Sequence, residues 1–414
     1  MLVDHLPDLQ NLLERYVSDG SVPGAVALVA RGAQIELAAV GAAVIDGPPM
    51  ARDSIFRFAS ITKPITAAAV MMLIEDGSIT LDDPVDRWLP ELANRTVVRT
   101  PTSPVDDVVP AVRPITVWDL LTSSAGYGFP SDFTLPAAQP LFEVQKDGRE
   151  PWSFLEPDAW MAALSEIPLL YQPGEGWLYD TCSTLQGVLI SRVSGKSLPE
   201  FLAERIFQPL GMVDTGFYVP VDKRKRFTGY YRKSSTGSFQ LADAPDGQWS
   251  APAPFPLGNG GLAGTAADWL AFGRMLLADG VAVDGRQLLS AASVRLMITD
   301  HTTHAQRTIG RLFLEMQGWG FGGSVDIAAL DPWNVPGRYG WVGGTGTSAH
   351  ITPATDTIAI LLAQVAADGP TASDWMREFW RYAGTAGPLP ASSNPENATA
   401  GEPEALIADC DAQS

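Results

Sequence analysis

The stretch "RYGWVGGTGTSAHITPATDTIAILLAQVAAD", residues 338–368, predicts three consecutive strands. Its apolar and β-branched residues form three runs, separated by a glycine-rich turn and by a second turn at 353–356 that begins with proline. Near the other end of the chain, GAVALVAR (24–31) and QIELAAVG (34–41) have the pattern of a β-hairpin. Because strands lie at both ends of the chain, the simplest arrangement closes them into one antiparallel sheet.

Helical patterns fill the chain between these strands. Apolar residues recur there at the three- and four-residue spacing of an amphipathic helix. The helical segments lie at 116–123, 157–166, 183–194, 198–207, 265–279, 287–299 and, after the last strand, 372–383. We therefore predict an α+β fold, in which helices flank an antiparallel sheet of N- and C-terminal strands and a helical subdomain is inserted between its two halves.

The chain is long enough for one large unit of two subdomains, since 46% of its 414 residues are hydrophobic. We predict one folded domain over 1–383, with a sheet subdomain at about 1–60 and 260–383 and a helical subdomain at about 80–255. Residues 384–414 are rich in Pro, Ser, Ala and Glu, and we predict a disordered tail there.

The amino-acid composition argues against some classes of function. The net charge of −19 repels phosphate backbones, so we expect no nucleic-acid partner. No apolar run approaches the roughly 20 residues that span a bilayer, and the first segment indicates an amphipathic helix rather than a signal peptide. We therefore expect a cytoplasmic protein without a membrane partner, and the sequence leaves the oligomeric state open.

The residue types that bind metals do not form a predicted site. Cys182 and Cys410 are too few for a metal cluster or a disulfide framework. His301 and His304 lie three positions apart but lack a third ligand, so we predict no metal and no cofactor. The sequence contains no G-x-S-x-G pentapeptide, which argues against an α/β-hydrolase.

A serine and a lysine stand three positions apart in FRFASITKPITAAAVMMLIEDG (56–77). In a helical turn Ser60 and Lys63 share a face, and the free N–H groups at a helix start favour a negative oxygen on the serine. Burial would lower the pKa of Lys63 toward the working range. Alternatively, Ser60 is a helix cap and Lys63 a solvated amine, and Pro64 favours a helix that begins only after Lys63.

A tyrosine could take the proton of the serine. Tyr179 precedes the predicted helix at 183–194, and beside an ammonium its oxygen is stabilised as an anion, so that it can accept a proton. The alternative is a buried tyrosine whose hydroxyl is hydrogen-bonded. We expect the next residues, Asp180 and Thr181, to cap the following helix.

A glycine-rich segment, YGWVGGTGTS (339–348), could bring a strand backbone close to a ligand. The N–H of a residue just after Trp341 would then form an oxyanion hole with the N–H of Ser60. The alternative is a β-bulge with a glycine-rich turn.

These three segments resemble, in order and spacing, the serine β-lactamase and penicillin-binding-protein-like superfamily, in particular its class C-like branch. ITVWDLLTSSAGYG (115–128) and GNGGLAGTAADWLAFGRMLL (258–277) are similar to further blocks of that superfamily. The similarity covers about residues 5–383. It implies a β-lactamase/transpeptidase-like fold.

The resemblance also implies the roles of individual residues. Ser60 is then the acylated nucleophile, Lys63 activates it, and Tyr179 acts as general base and later as general acid. The N–H groups of Ser60 and Gly344 form the oxyanion hole.

One motif departs from the β-lactamase pattern. Where β-lactamases carry Lys-Thr-Gly, this chain has Trp341-Val342-Gly343, which looks like the family VIII carboxylesterases. An indole in place of a cation turns an anion-binding wall into an apolar one, so we expect Trp341 and Gly343 to contact the substrate.

The insert at 128–160 is rich in Phe, Trp, Leu and Pro, and we predict a lid or acyl-pocket wall there, lined by Tyr127 and Phe129. A packed surface loop is the alternative. The sequence thus predicts a serine carboxylesterase that hydrolyses small or medium esters through an acyl-enzyme on Ser60. The alternatives are an acyltransferase with the same acyl-enzyme, a weak β-lactamase or D-aminopeptidase-type amidase, and a binding protein that has lost catalysis.

Overall fold

The protein, described by a computed structural model over residues 8–146 and 148–385, begins with a helix and a hairpin and ends with a meander and a helix. The described strands are β1 (Gly24–Arg31), β2 (Gln34–Gly41), β3 (Phe56–Arg57), β4 (Thr96–Val98), β5 (Val108–Pro110), β6 (Tyr230–Lys233), β7 (Phe239–Asp243), β8 (Ala263–Gly264), β9 (Gly318–Trp319), β10 (Ser324–Val325), β11 (Tyr339–Gly343), β12 (Thr347–Thr352) and β13 (Thr357–Ala363). The described α-helices are α1 (Leu9–Ser18), α2 (Lys63–Glu75), α3 (Val117–Leu121), α4 (Gln139–Gln145), α5 (Pro157–Ser165), α6 (Thr181–Ser194), α7 (Leu198–Leu202), α8 (Gln208–Leu210), α9 (Ala266–Leu277), α10 (Ala291–Met297), α11 (His304–Ile309), α12 (Arg311–Leu314) and α13 (Asp374–Thr385).

The central element is one seven-stranded antiparallel sheet with the order β2-β1-β13-β12-β11-β10-β9. Strand β1 pairs with β13, with Leu28 opposite Ile360, so the N-terminal hairpin and the C-terminal meander meet in one sheet. This confirms the predicted α+β arrangement. Strands β12 and β13 are buried along their whole length, because helices cover the sheet on both faces.

The two faces of the sheet carry two hydrophobic cores. Along β1, side chains alternate: Leu28 belongs to the core with α2 and α9, and Ala27 to the core with α1 and α13. Each fully buried Leu or Ile contributes about 1.5–3 kcal/mol to stability, so the sheet is held by both layers. None of the helices in the described residues is long and apolar enough to cross a membrane.

Helix α2 is buried from Lys63 to Leu73, which explains its almost continuous apolar sequence. Lys63 has helical angles, φ −54° and ψ −44°, although it precedes Pro64. The expectation that Pro64 starts the helix is therefore wrong by one residue. Proline is tolerated there because the missing N–H of a first-turn residue has no helical acceptor in any case.

The predicted helices occur, but several boundaries differ. Helix α10 is shorter than the predicted 287–299, because the hydroxyl of Ser290 accepts the N–H of Ser293 and starts the helix there. Helix α13 continues to Thr385, two residues into the predicted tail. The rest of the predicted tail lies outside the described residues, and the division into two subdomains stays a prediction.

Candidate active site

Ser60 lines an open cleft of about 670 Å³. It stands on a 3₁₀ turn, Ala59–Thr62, that leads directly into α2. The preceding residue, Ala59, has a φ of +47°, in the left-handed region that a residue with a Cβ rarely adopts. The chain therefore presents the Ser60 hydroxyl to the cleft just before a buried helix begins.

Lys63 is almost completely buried, and its ammonium has three acceptors. Nζ donates to Ser60 Oγ at 2.9 Å, to Asp180 Oδ1 at 2.6 Å and to the carbonyl oxygen of Asn259 at 2.8 Å. It also lies 4.8 Å from the centre of the Tyr179 ring. The structure thus excludes the alternative in which Lys63 is a solvated surface amine.

The pKa of Lys63 shifts in the direction opposite to our expectation. Burial lowers it, but the carboxylate of Asp180, together with Tyr179 and the hydrogen bonds to both, more than compensates, so the pKa of Lys63 is raised. Lys63 therefore keeps its positive charge at neutral pH. A charged ammonium has no lone pair to accept the proton of Ser60, which leaves Tyr179 as the base within reach.

Asp180 supplies the negative charge next to Lys63, and the prediction that its side chain caps α6 is wrong. Its side chain makes no capping hydrogen bond, and its backbone has a φ of +83°. Oδ2 accepts from Asn259 Nδ2 at 2.7 Å and from Gln145 Nε2 at 2.9 Å. Both carboxylate oxygens thus have donors, as a buried charge requires.

Tyr179 completes the group around the nucleophile. Its Oη lies 2.9 Å from Ser60 Oγ. Its backbone exchanges two hydrogen bonds with Phe129, of 2.9 and 3.0 Å, and its ring stacks on Phe313 with centroids 4.6 Å apart. The insert and α12 therefore fix the position of the phenol from both sides.

Trp341 does not line the cleft, which corrects the expectation that it contacts the substrate. The residue is 3% exposed, and its ring packs edge-on against that of Trp319, with centroids 4.8 Å apart. Its indole N–H donates to Tyr179 Oη at 2.8 Å. A large apolar ring is buried in preference to water, and its one donor then needs a partner. Trp341 thus lacks the cation of the Lys-Thr-Gly motif but directs an N–H at the tyrosine oxygen.

Gly343 and Gly344 line the cleft, as does Ser60. In the part of the chain that the structure describes, neither the N–H of Ser60 nor that of Gly344 donates to a protein acceptor. A Cβ on Gly343 would lie 2.5 Å from the carbonyl oxygen of Phe58, so the close approach requires glycine. The arrangement leaves both N–H groups available for a ligand, and their role as an oxyanion hole stays a prediction.

The two aromatic residues predicted to line the pocket have different positions. Phe129 lines the cleft and stacks on Phe142 of α4, with centroids 4.9 Å apart. Tyr127 is 2% exposed, and its hydroxyl donates to the carbonyl oxygen of Ile167 at 2.8 Å. Burial raises the pKa of Tyr127 to about 12. Tyr127 is therefore a core residue, and its assignment to the pocket is wrong.

The sequence reasoning missed Asn259, Gln145 and Phe142, which surround Asp180 or line the cleft. Asn259 could have been found from its position in GNGGL (258–262), which begins a segment similar to the superfamily. Gln145 and Phe142 lie three positions apart on α4, where a shared helix face could have linked them.

The histidines and acidic residues that the structure describes outside this site do not form a metal centre. The described residues hold no group of three or more His, Cys, Asp and Glu side chains that could bind a metal. His301 Nε2 lies 2.7 Å from the carbonyl oxygen of Leu296, and its ring packs edge-on against Trp118.

The amino-acid sequence is similar to those of known proteins. The Beta-lactamase family model matches residues 9–379 of the chain. Protein Rv1367c of Mycobacterium tuberculosis (strain H37Rv) is 38% identical over 363 residues, which cover 84% of this chain and 88% of that protein. Esterase EstB of Burkholderia gladioli is 30% identical over 384 residues, which cover 87% of this chain and 91% of the esterase.

Among solved structures, EstCE1, described as a hydrolase with promiscuous acyltransferase activity, superimposes with a TM-score of 0.73 at 26% identity. The superposition covers 90% of this chain and 96% of EstCE1. The family match runs from α1 into α13 and so includes both halves of the sheet and every residue of the cleft site named above.

Proposed function

The chain belongs to the Beta-lactamase family, and from that membership and the geometry of the cleft we propose that it is a serine carboxylesterase. It hydrolyses small or medium carboxylic esters through an acyl-enzyme on Ser60. The observation that carries the proposal is that Lys63 Nζ and Tyr179 Oη each lie 2.9 Å from Ser60 Oγ beside an open cleft. The likeness to Esterase EstB supports an ester as the substrate.

Acylation begins when Ser60 Oγ attacks the carbonyl carbon of the ester. In the reactive form Lys63 keeps its proton and Tyr179 Oη has lost its own, so the phenolate accepts the proton of Ser60. The Lys63 ammonium and the Trp341 N–H stabilise that phenolate. The N–H groups of Ser60 and Gly344 donate to the carbonyl oxygen as it becomes negative.

In the remaining steps Tyr179 again carries a proton between groups. The bond from the carbonyl carbon to the alcohol oxygen breaks, and the alcohol leaves with the proton that Tyr179 carries. Water then attacks the acyl-enzyme and gives a proton to Tyr179, which returns it to Ser60 Oγ as the carboxylic acid is released. Atoms and charges balance without a cofactor.

The residue at the third motif favours an ester over a β-lactam. The lysine of the Lys-Thr-Gly motif helps to hold the carboxylate of a β-lactam in the enzymes that this chain resembles. Trp341 stands at that position, and its N–H already donates to Tyr179. We therefore expect hydrolysis of nitrocefin, a chromogenic β-lactam, to be much slower than hydrolysis of p-nitrophenyl butyrate.

Replacement of the nucleophile tests the proposal. Ser60→Ala should lower kcat for p-nitrophenyl butyrate by about 10⁴-fold or more, since the acyl-enzyme forms on the Ser60 oxygen. Ser194→Ala removes a hydroxyl at the end of α6 whose hydrogen bonds, among the described residues, are to the backbone of Ile190 and Lys196, and it should leave kcat within about twofold. Wild-type turnover in a folded Ser60→Ala protein would refute the mechanism.

A covalent probe separates an enzyme from a binding protein that kept the fold. A fluorophosphonate should add one phosphonyl group to the peptide that contains Ser60, as seen by mass spectrometry, and Ser60→Ala should remain unlabelled. Ester hydrolysis without labelling at Ser60 would point to a different nucleophile.

Acyl transfer to an alcohol is a second candidate. The cleft of about 670 Å³ continues from Ser60 to the loop at 366–373, which leaves room for an acceptor beside the acyl group. The structurally similar EstCE1 is a hydrolase with promiscuous acyltransferase activity, which supports this candidate. With butanol added, the ratio of butyl butyrate to butyric acid measures how the acyl-enzyme divides between alcohol and water.

A small-molecule ester is the partner that this function requires. The charge of −19 supports the proposal that the protein has no nucleic-acid partner. A cytoplasmic location and the absence of a membrane partner are further proposals. Cell fractionation and a DNA-binding assay test them.

A further inference from the structure

Two threonines link the β11–β12 hairpin to the segment that precedes Ser60. Thr345 Oγ1 donates to the carbonyl oxygen of Arg57 at 2.7 Å, and Thr347 Oγ1 donates to that of Phe58 at 2.7 Å. Both threonines are fully buried, with at most 1% of their surface exposed. The carbonyl groups of two successive residues shortly before the nucleophile are thus held by side chains of the β11–β12 hairpin.

The end of β11 and the segment before Ser60 approach as closely as a backbone permits. A Cβ on Gly343 would lie 2.5 Å from the carbonyl oxygen of Phe58, a distance that real Cβ atoms do not reach. Ala59, between Phe58 and Ser60, holds a φ of +47°, a conformation that persists only where its surroundings impose it. The threonine hydrogen bonds act on the residues directly before this strained position.

We propose that Thr345 and Thr347 are positioning residues that hold the N–H of Ser60 and the N–H of Gly344 at the spacing that one oxyanion requires. The inference rests on the proposed acyl-enzyme chemistry at Ser60 and deepens it. The two donors belong to different elements, the 3₁₀ turn before α2 and the turn after β11, so neither element alone sets their spacing.

Fixed spacing matters because oxyanion donors stabilise a transition state only when they are in place before the charge develops. The substrate in its ground state uses these donors weakly, so a loosened pair lowers kcat more than it raises KM. The threonine hydroxyls bond to backbone carbonyl groups and not to Ser60 Oγ. Their effect on rate must therefore pass through the backbone.

Substitutions at the two threonines distinguish the effect of the hydroxyl group from the effect of the side-chain shape. Thr345→Val and Thr347→Val remove the donor and keep the branched side chain, and each should lower kcat by about 10- to 100-fold with KM within about threefold. Thr345→Ser and Thr347→Ser keep the hydroxyl and should retain kcat within about threefold. The cysteine variants, which carry a weak donor, should give an intermediate loss.

The affinity for a transition-state mimic would not change if the two threonines had only a structural role. Butylboronic acid forms a tetrahedral adduct with a catalytic serine, and an oxygen of that adduct occupies the oxyanion site. Its inhibition constant should rise in parallel with the fall in kcat/KM across the variants. Thr122→Val removes a buried hydroxyl that bonds to the carbonyl oxygen of Trp118 at the end of α3 and to the hydroxyl of Ser124, and it should change neither value by more than about twofold.

The outcomes distinguish the two proposals. If Ser60→Ala abolishes hydrolysis but the folded valine and cysteine variants keep wild-type kcat and boronate affinity, the role of the threonines is refuted and the esterase proposal stands. If the wild-type protein and Ser60→Ala hydrolyse esters equally slowly, both proposals fall. Where a valine variant does not fold, the serine and cysteine pair carries the comparison.

Discussion

Two buried ion pairs lie on the two faces of the sheet and are held in different ways. Lys63 and Asp180 are 2.6 Å apart beside α2, and each oxygen of Asp180 accepts a hydrogen bond. Arg338 and Asp326 are 3.6 Å apart on the side of α13. Among the described residues, both terminal nitrogens of Arg338 and Oδ2 of Asp326 have no hydrogen-bond partner.

Aromatic rings replace these missing hydrogen bonds at the second pair. The guanidinium of Arg338 lies 5.1 Å from the ring centre of Trp333 and 4.7 Å from that of Trp380. The first pair faces the cleft and is surrounded by directed donors, whereas the second is enclosed by indoles. The difference indicates that the first pair controls a charge used in chemistry and that the second fastens α13 to the sheet.

Removal of the charge on Asp180 is the strongest test of this contrast. In Asp180→Asn, burial acts on Lys63 without a carboxylate to oppose it, so the pKa of Lys63 falls and the ammonium is lost as pH rises. We expect kcat at pH 8 to drop by about 10²- to 10³-fold, with part of the activity regained at lower pH. A pH–rate profile measures both.

Asp158→Asn is the control, because Asp158 is largely exposed in its ion pair with Arg192. Its profile should overlay that of the wild type. A pH profile of Asp180→Asn with the wild-type shape would show that Asp180 does not set the charge of Lys63.

Removal of Arg338 should affect stability instead of rate. Arg338→Met leaves the carboxylate of Asp326 buried without its cation, which should lower the free energy of unfolding by about 3–5 kcal/mol. Urea unfolding measures the loss, and kcat per folded molecule should stay within about twofold. A tenfold fall in kcat of the folded protein would contradict the contrast between the two pairs.

Trp341 and Trp319 offer a matched pair within one aromatic cluster. Trp341→Phe removes the N–H that donates to Tyr179 and should lower kcat by about tenfold, in line with one charge-assisted hydrogen bond. The N–H of Trp319 has no partner among the described residues, so Trp319→Phe should leave kcat nearly unchanged. Equal losses in both variants would mean that packing alone is responsible.

His350 predicts a pH dependence of stability on the α13 side. Burial, and next the charge of Arg338, hold the pKa of His350 well below its usual value, while Nδ1 faces Ser348 and the ring faces Trp380. The folded protein therefore keeps His350 neutral, and the unfolded chain gains a proton below about pH 6.5.

Stability should then fall with pH below that point by up to about 1.4 kcal/mol per unit, an effect that is absent above it. His350→Gln should lessen the slope, as urea unfolding between pH 5 and 8 would reveal. Identical slopes in the two proteins would assign the acid sensitivity to other groups.

The sequence was sufficient to predict the sheet and to single out Ser60, Lys63 and Tyr179, which the structure brings together. Runs of apolar and β-branched residues at both ends of the chain, separated by turn residues, predicted the strands. A helical turn was expected to place Ser60 and Lys63 on one face. Asp180 was misassigned because a capping role depends on local propensity, whereas its actual orientation follows from a positive φ and a partner distant in sequence.

The sequence also did not reveal in which direction some side chains point. A period of two tells that Trp341 and Gly343 share a face of β11, but it does not tell which of them reaches the cleft. Tyr127 and Phe129 likewise differ in burial although they stand two positions apart. Only the packing of distant elements decides such cases.

Gln145 has a consequence for anyone who redesigns this protein. It donates to Asp180 from α4, the same short helix that carries Phe142 to the cleft wall. The insert is therefore not an exchangeable module: a loop transplanted from a relative to broaden substrate scope would remove an amide that supports the counter-ion of Lys63. Libraries that vary position 142 and retain Gln145 would keep scope and turnover separable.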